Sequence, residues 1–583
     1  MQFHLNGFRV GDPVIEPVAE NVHGPEMPDQ VDVLIAGSGP AGLVLAAQLS
    51  KFPDITTRIV ERRAGPLLMG QADGVACRTV EMFNAFGLAE RLLREAYWVN
   101  ETVFWRPGAD DHRAIRRTGR VQDTESGLSE FPHVIVNQAR IQDYLLDVMR
   151  LSPRRLEPDY DLEVVAVERD NVGDYPVRVT LRRTDARRLG EEISVRARYV
   201  VGCDGARSRV RTAIGQTLRG DAANHAWGVM DALAVTNFPD IRLKAAIQSA
   251  HEGNLLIIPR EGGHLVRFYV DLGDVTPENR DAIKQIAADH IIATAQRILH
   301  PYTLDVKEVA WFSVYEVGQR LTDRFDDSVD SNGCKRAPRV FIAGDACHTH
   351  SAKAGQRMNV SMQDGFNLSW KLAAVLRESC HPDLLHTYSR ERQPIARELS
   401  EFDKEWSAMM AAPPKDPSRP EAGGVDPAEL QAYFVRAGRY TAGLPRVIVR
   451  TCSQGNRHIR RSLKASRSEH GSIPHPCTPC RCQADAPRTC CIGGRPLAPI
   501  RFRRRRTQRI QYAVRVPDEF AGFRFAASHA QGREPGQRAR CARSAAASPS
   551  RTTTRRTPRP AASTQRALGT RRLRESIYER RGD

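Results

Sequence analysis

The chain has 583 residues, 41% hydrophobic and 27% charged, with a formal net charge of +17. That length calls for two or three domains with sizeable cores. The charge does not describe the whole chain: residues 446–583 hold 31 Arg, 1 Lys and 8 acids, which leaves the first 445 residues at −7. The body is mildly acidic, and no nucleic-acid partner is expected of it.

Five of the 12 cysteines lie in the body (Cys77, Cys203, Cys334, Cys347, Cys380), scattered and without paired spacing. They fit a reducing compartment and exclude a disulfide framework. The N-terminus lacks a basic stretch followed by an apolar one, so no signal peptide is expected. The longest apolar run, 33–49, is interrupted by Ser38 and Pro40 and is too short for a membrane span. A soluble, cytoplasmic protein without a membrane partner is the expectation.

Residues 1–30 read as an extended, Pro-containing arm. VDVLIAG at 31–37 then has the pattern of a buried strand, and PAGLVLAAQLSKF continues it as a helix with apolar residues at helical spacing. Between them Gly37 permits a tight turn, Gly39 admits a pyrophosphate to the backbone, and Gly42 allows close helix–strand packing. The helix N-terminus offers unpaired N–H groups to phosphate. TRIVERR at 57–63 closes the β-α-β unit, and Glu61, 24 residues past Gly37, is placed to accept ribose hydroxyls. This unit would serve NAD or FAD equally.

Two later segments decide between them: VGCDGARS at 201–208 and FIAGDACHTHSAKAGQRMN at 341–359. With GSGPAG at 37–42 they make the chain resemble the class A flavoprotein aromatic hydroxylases. The likeness extends through MQFHLNGFR at 1–9, GQADGVACRTVEMF at 70–83, EFPHVIVNQARIQDYLL at 130–146, NLLIIPREGGHLVRFYV at 254–270 and SMQDGFNLSWKLAAVL at 361–376. It covers about residues 1–445.

The resemblance implies an α/β fold in which a Rossmann-like FAD-binding domain is interleaved with a mixed-sheet substrate domain. The FAD domain would occupy 31–205 and 331–445, the latter with two long helices, and the substrate domain 206–330. FAD would be held by Gly37, Gly39, Gly42, Glu61, Asp204, Asp345, Gly355, Gln356, Met358 and Asn359, with further contacts from Arg78, Gln138 and Arg140. Asp345 would hold the ribitol chain, and a helix opening near Gly355 would present its N-terminus to the flavin. NADPH would be a transient co-substrate, because no second Rossmann unit is visible.

Hydroxylating a phenol with O2 in this family requires a flavin C4a-hydroperoxide kept from water and a phenolate to attack it. By resemblance Asp73, His133, Lys244 and Tyr269 converge on the substrate ring. Lys244 suits a benzoate carboxylate and Tyr269 adds a directional hydrogen bond, while His133 and Asp73 suit the phenol proton. The implied reaction converts 3-hydroxybenzoate to 3,4-dihydroxybenzoate. A phenol 2-monooxygenase acting on an uncharged phenol is the alternative, and Lys244 argues against it, since a buried lysine facing no carboxylate would be uncompensated. A flavin-binding relative with impaired hydroxylation is another.

Two departures bear on that last reading. Arg357 stands where the family has glycine, and would either point outward or crowd the flavin. Ala352 stands where the family has proline. After Pro445 apolar periodicity vanishes and RFRRRR, RTTTRRTPRP and ARSAAASPS are low-complexity runs. This aberrant tail, 446–583, replaces the thioredoxin-like domain that helps relatives form homodimers, and its composition predicts disorder. Cys477, Cys480, Cys482, Cys490 and Cys491 are too irregularly spaced for a zinc site, and no metal is expected.

Overall fold

The computed structural model describes residues 15–443 with short breaks, the longest at 413–423, and two short paired strands at Cys491–Ile492 and Arg495–Pro496. Most of the N-terminal arm and of the tail, including the expected disorder there, and Ala352 lie outside the described residues.

Four strands run parallel side by side: Thr57–Val60, Gln30–Ala36, Glu192–Gly202 and Val340–Ile342. They are near-continuous apolar runs because both faces of a parallel sheet are covered, and Val33, Leu34, Ile35, Ile59, Val200, Val201 and Phe341 are fully enclosed. Antiparallel strands Val177–Arg183 and Leu162–Arg169 extend the sheet beyond the first half of Glu192–Gly202. The carboxyl ends of three parallel strands, at Ala36, Gly202 and Ile342, stand next to one another, the edge at which such sheets bind ligands.

Helix Pro40–Leu49 starts directly after the first of these ends, with Gly39 as N-cap and proline at its first position. It packs on the long helix Arg357–Leu376 so closely that a Cβ on Gly365 would stand 2.3 Å from the Ala41 carbonyl oxygen. Gly365 lies in the middle of that helix, where glycine otherwise costs stability, so the close approach is the reason for it.

The second layer is a seven-stranded sheet in the order Leu304–Glu316, His225–Thr236, Leu265–Asp274, Asn254–Pro259, Lys244–Gln248, Glu101–Pro107, Ile115–Gln122. Its last two strands come from within 31–205, the stretch expected from sequence to belong to the flavin domain, and join this second sheet. Strand Lys244–Gln248 pairs in parallel with Glu101–Pro107, more than a hundred residues earlier. A parallel pair of that separation leaves no local signal in the sequence. Helices His386–Ala411 and Pro427–Thr441 cover this sheet through Phe402, Trp406, Ala437 and Tyr440, which meet Phe104, Ala246 and Val360. A three-stranded piece, Gly74–Val75, His133–Ile135 and Tyr97–Val99, sets Gly74 and His133 beside each other.

Gly365→Ala is expected to lower unfolding stability by about 1–3 kcal/mol through overpacking, read as a shifted denaturation midpoint. A midpoint unchanged within error would show that the two helices can separate at no cost.

Candidate active site

A groove opens at the carboxyl edge of the parallel sheet, lined by Gly37, Gly39, Glu61, Arg63, Asp204 and Ser208 among others. Gly37 has φ +99° and a Cβ there would stand 2.4 Å from the Cys203 carbonyl oxygen, while a Cβ on Gly42 would stand 2.1 Å from that of Gly37. Both positions tolerate only glycine, one for conformation and one for space. Around Gly39, by contrast, nothing lies within 4 Å. The backbone is bare where a pyrophosphate needs to reach it.

Glu61 closes one end of the groove. The Ser38 N–H and hydroxyl both donate to its Oε2 at 2.9 Å, and Arg63 pairs with Oε1 at 3.0 Å. Burial pushes this carboxyl up, but Arg63 and the Ser38 N–H outweigh it and leave it below the ordinary glutamate value. At the other end Asp204 caps helix Arg209–Ala213, its Oδ2 accepting from the N–H groups of Arg209 and Val210 at 2.7 and 3.2 Å. Its Oδ1 is buried without a partner, and burial raises the carboxyl above its usual range. A carboxylate held for sugar hydroxyls, an open glycine turn and an orphaned acceptor fit the nucleotide half of FAD.

The flavin half is expected, from the resemblance, at the segments 344–349 and 355–359. Gly355 has φ +62°, and the helix begins at Arg357 rather than at Gly355. Asn359 holds the region together: its amide donates to the carbonyls of Gly74 and Gly355, and its oxygen accepts from the Ala76 N–H at 2.9 Å. Met358 is buried beside it. Gln356 lines an aromatic cavity and donates to the Thr441 carbonyl at 2.8 Å. Arg357 folds back on Asp345, donating from Nε to Oδ1 at 2.9 Å and from Nη2 to Oδ2. The Asp345 charge holds this guanidinium above its ordinary value. Both oxygens of the carboxylate expected to hold ribitol thus carry a protein partner.

Three further positions carried over from the family have protein partners instead of lining the groove. Arg78 pairs with Glu81 at 2.5 Å, and Arg140 clasps Glu95 at 2.6 and 2.9 Å. Gln138 accepts from the N–H groups of Gln71 and Ala72, fixing the loop before Asp73.

This cavity lies between the seven-stranded sheet and the two covering helices, walled by Phe104, Trp227, Leu256, Phe402, Trp406 and Phe434. Four ionisable side chains interrupt that apolar wall: Asp123, His133, Lys244 and Tyr269. Asp123 escapes the sequence reading, because in VQDTESG it looks like an ordinary loop carboxylate. Its position at the end of strand Ile115–Gln122 takes it inside. Lys244 Nζ donates to its Oδ1 at 2.8 Å, Thr102 Oγ1 donates to the same oxygen at 2.9 Å, and His133 Nδ1 lies 2.8 Å from Oδ2. Burial opposes the charge on Asp123, but Lys244 and then His133 overcome it and hold the carboxyl far below the usual range. The Lys244 charge is therefore compensated from within, which overturns the expectation that it lacks a partner. His133 Nε2 is buried with no partner among the described residues.

Asp73 stands apart from this trio. It pairs with Arg260 at 3.2 Å and Arg267 at 3.0 Å, and Arg267 also clasps Asp231 at 2.6 Å through two nitrogens. Tyr269 borders the same cluster with the Arg267 guanidinium 6.0 Å from its ring centroid. Burial, then the Asp73 charge, holds the Tyr269 hydroxyl above its ordinary range, so it remains protonated and able to donate. The four residues read together from sequence thus form two pairs, His133 with Lys244 and Asp73 with Tyr269.

Cys347, His348 and Asp364 also cluster, fully buried. Both oxygens of Asp364 are engaged, Oδ2 by His348 Nε2 at 2.7 Å and Oδ1 by Arg392 at 2.6 Å. This is an ion-pair knot under the flavin loop.

A glycine-turn nucleotide groove and an aromatic cavity are the two features that a flavin-dependent hydroxylase requires. The FAD binding domain family matches residues 30–403, and the chain belongs to this family of class A flavin-dependent aromatic monooxygenases. It is 60% identical over 449 residues to 3-hydroxybenzoate 4-monooxygenase of Comamonas testosteroni, covering 76% of this chain and 70% of that one. It is 42% identical over 429 residues to an FAD-dependent monooxygenase of Aspergillus terreus, covering 72% and 65%. Among solved structures it is similar to OxyS anhydrotetracycline hydroxylase of Streptomyces rimosus, at 26% identity and TM-score 0.52, over 71% of this chain and 75% of that one. p-Nitrophenol 4-monooxygenase PnpA of Pseudomonas putida shares the fold, with 20% identity and TM-score 0.56 over 72% and 100%. Among the described residues no helix is long and apolar enough to cross a membrane.

Because its native carboxyl titrates below that of the unfolded chain, Asp123 contributes stability that is fully present above about pH 4 and is lost as pH falls through the native value. Asp123→Asn is expected to cost about 2–4 kcal/mol at pH 7, by leaving half-buried Lys244 without its carboxylate. It should also flatten the acid limb of a stability-versus-pH curve, and an unaltered limb would place the titrating group elsewhere.

Proposed function

We propose that this protein hydroxylates 3-hydroxybenzoate at C4, giving 3,4-dihydroxybenzoate, with FAD as cofactor and NADPH and O2 as co-substrates. The observation that carries this reading is the pair of nitrogens, Lys244 Nζ and His133 Nε2, set by one carboxylate into the wall of an otherwise aromatic cavity. A benzoate has two carboxylate oxygens for those two nitrogens, and its ring suits the walls of Phe104, Trp227 and Phe434. The 60% identity to a 3-hydroxybenzoate 4-monooxygenase supports the same substrate.

FAD supplies the oxygen-transfer chemistry when bound. The chain's residues bind the carboxylate at Lys244 and His133, and receive the phenol hydroxyl at Tyr269. The protonated Tyr269 orients that hydroxyl by hydrogen bonding, and the neighbouring Asp73 with Arg267 provides the charged network through which its proton can leave. Phe402, Trp406 and Phe434 keep water from the ring. This division moves His133 from the proton path suggested by sequence to the carboxylate end.

A second reading has one observation in its favour. Asp123 already neutralises Lys244, so the cavity without substrate has no standing demand for an anion, and an uncharged phenol is admissible. Substrate-dependent NADPH oxidation with product analysis separates the two. 3-Hydroxybenzoate should give 3,4-dihydroxybenzoate with kcat/KM about 10²–10³ above phenol, the discrimination expected of roughly 3–4 kcal/mol of polar recognition. Lys244→Met should remove most of that preference, chiefly through KM. Equal or faster catechol formation from phenol would overturn the assignment in favour of the phenol reading.

A further inference from the structure

Three charged or chargeable groups meet at the carboxylate end of the cavity, and their sum is informative. Lys244 and Asp123 are joined at 2.8 Å and cancel, while His133 Nδ1 is bound to the other oxygen of Asp123. A benzoate entering this buried end adds one negative charge with nothing left to balance it, and an unbalanced buried charge is strongly disfavoured. The group able to correct the sum is His133, whose Nε2 is buried and has no partner among the described residues. Gly74 keeps the space beside that atom, since even a Cβ there would stand 3.3 Å from Nε2.

We infer that carboxylate substrates bind this enzyme together with one proton, taken from solvent onto His133 Nε2, so that Lys244 and His133 as cations face Asp123 and the substrate as anions. The inference rests on the carboxylate end assigned under the proposed function. The step balances: His133 Nε2 gains the proton, its N–H donates to a substrate carboxylate oxygen, the buffer loses the proton, and no bond in the substrate changes. Histidine is the side chain that can take up a proton in the neutral range. An uncharged phenol needs no such proton, so Asp123 acts as a positioning and selectivity residue through His133 and Lys244.

The groups facing His133 from the neighbouring elements allow this. Asp123 comes from the end of strand Ile115–Gln122, Lys244 from strand Lys244–Gln248 and Tyr269 from strand Leu265–Asp274. Asp73, in the adjoining loop, is balanced by Arg260 and Arg267. On strand Tyr97–Val99, paired with the His133 strand, Tyr97 donates to the Arg242 carbonyl at 2.5 Å. Glu125 and Arg439 pair with each other at 2.8 Å on the exposed side. The carboxylate bound to His133 is that of Asp123, already matched by Lys244.

The test is titration calorimetry on the FAD-loaded enzyme without NADPH, at pH 7.5, in two buffers of different ionisation enthalpy. With 3-hydroxybenzoate the wild type should take up about one proton per molecule bound, and around that pH its Kd should rise by about tenfold per pH unit. Phenol should bind with no proton uptake. His133→Gln should still bind 3-hydroxybenzoate, at least about tenfold more weakly, with uptake abolished. Asp123→Asn, in which Lys244 alone balances the substrate, should bind it with little or no uptake. Binding of 3-hydroxybenzoate to the wild type without buffer dependence overturns the inference and leaves the substrate assignment standing, as does uptake that survives in His133→Gln. Failure of 3-hydroxybenzoate to bind at all overturns both. If Asp123→Asn does not fold, the wild type and His133→Gln decide the question.

Discussion

The meeting of three parallel strand ends organises everything else. Ala36 accepts from the Cys203 N–H at 2.7 Å, Gly202 accepts from the Ala343 N–H at 2.9 Å, and the Gly37 N–H donates to Val60. These short bonds bring three segments, separated by well over a hundred residues, into a single edge. Had Gly37 carried a side chain, it would have run into the Cys203 backbone and separated the first two. The cofactor groove is therefore a consequence of sheet register, and the helices only finish it.

That constraint explains why so much of the fold was legible from the chain. Glycines at 37 and 42 answer to backbone collisions that any sequence of this architecture must avoid, so they mark the groove openly, and the long apolar runs on either side announce a sheet covered on both faces. Gly365 is the same kind of signal but sits in an ordinary helical stretch, where only the neighbouring helix reveals its purpose. The strands at 101–122 were harder. Their partner, Lys244–Gln248, comes after five of the six strands of the first sheet, and a pairing across such a distance has no trace in local pattern.

The cavity shows a similar division. Tyr269, Lys244, His133 and Asp73 could be named from the chain, but their grouping could not, because it depends on which carboxylate each meets. Asp123 was missed altogether. A single aspartate in a polar loop looks solvated until the strand before it is seen to end inside the molecule, where the carboxylate acquires Lys244, His133 and Thr102 as neighbours. Arg357 is the reverse case: visible as an oddity in the sequence, it becomes intelligible once its two bonds to Asp345 are in view.

The bond from Gln356 to the Thr441 carbonyl joins the cofactor loop to the end of an aromatic helix that walls the cavity, and Cys77 Sγ and the Arg78 N–H reach the next carbonyl, that of Ala442. The cavity roof and the loop expected to seat the cofactor are thereby tied together. A residue swap on the roof, made to admit a wider ring, acts also as a displacement of the seat, and a change at the seat resizes the room above it. Pocket breadth and cofactor placement are mechanically coupled through these bonds.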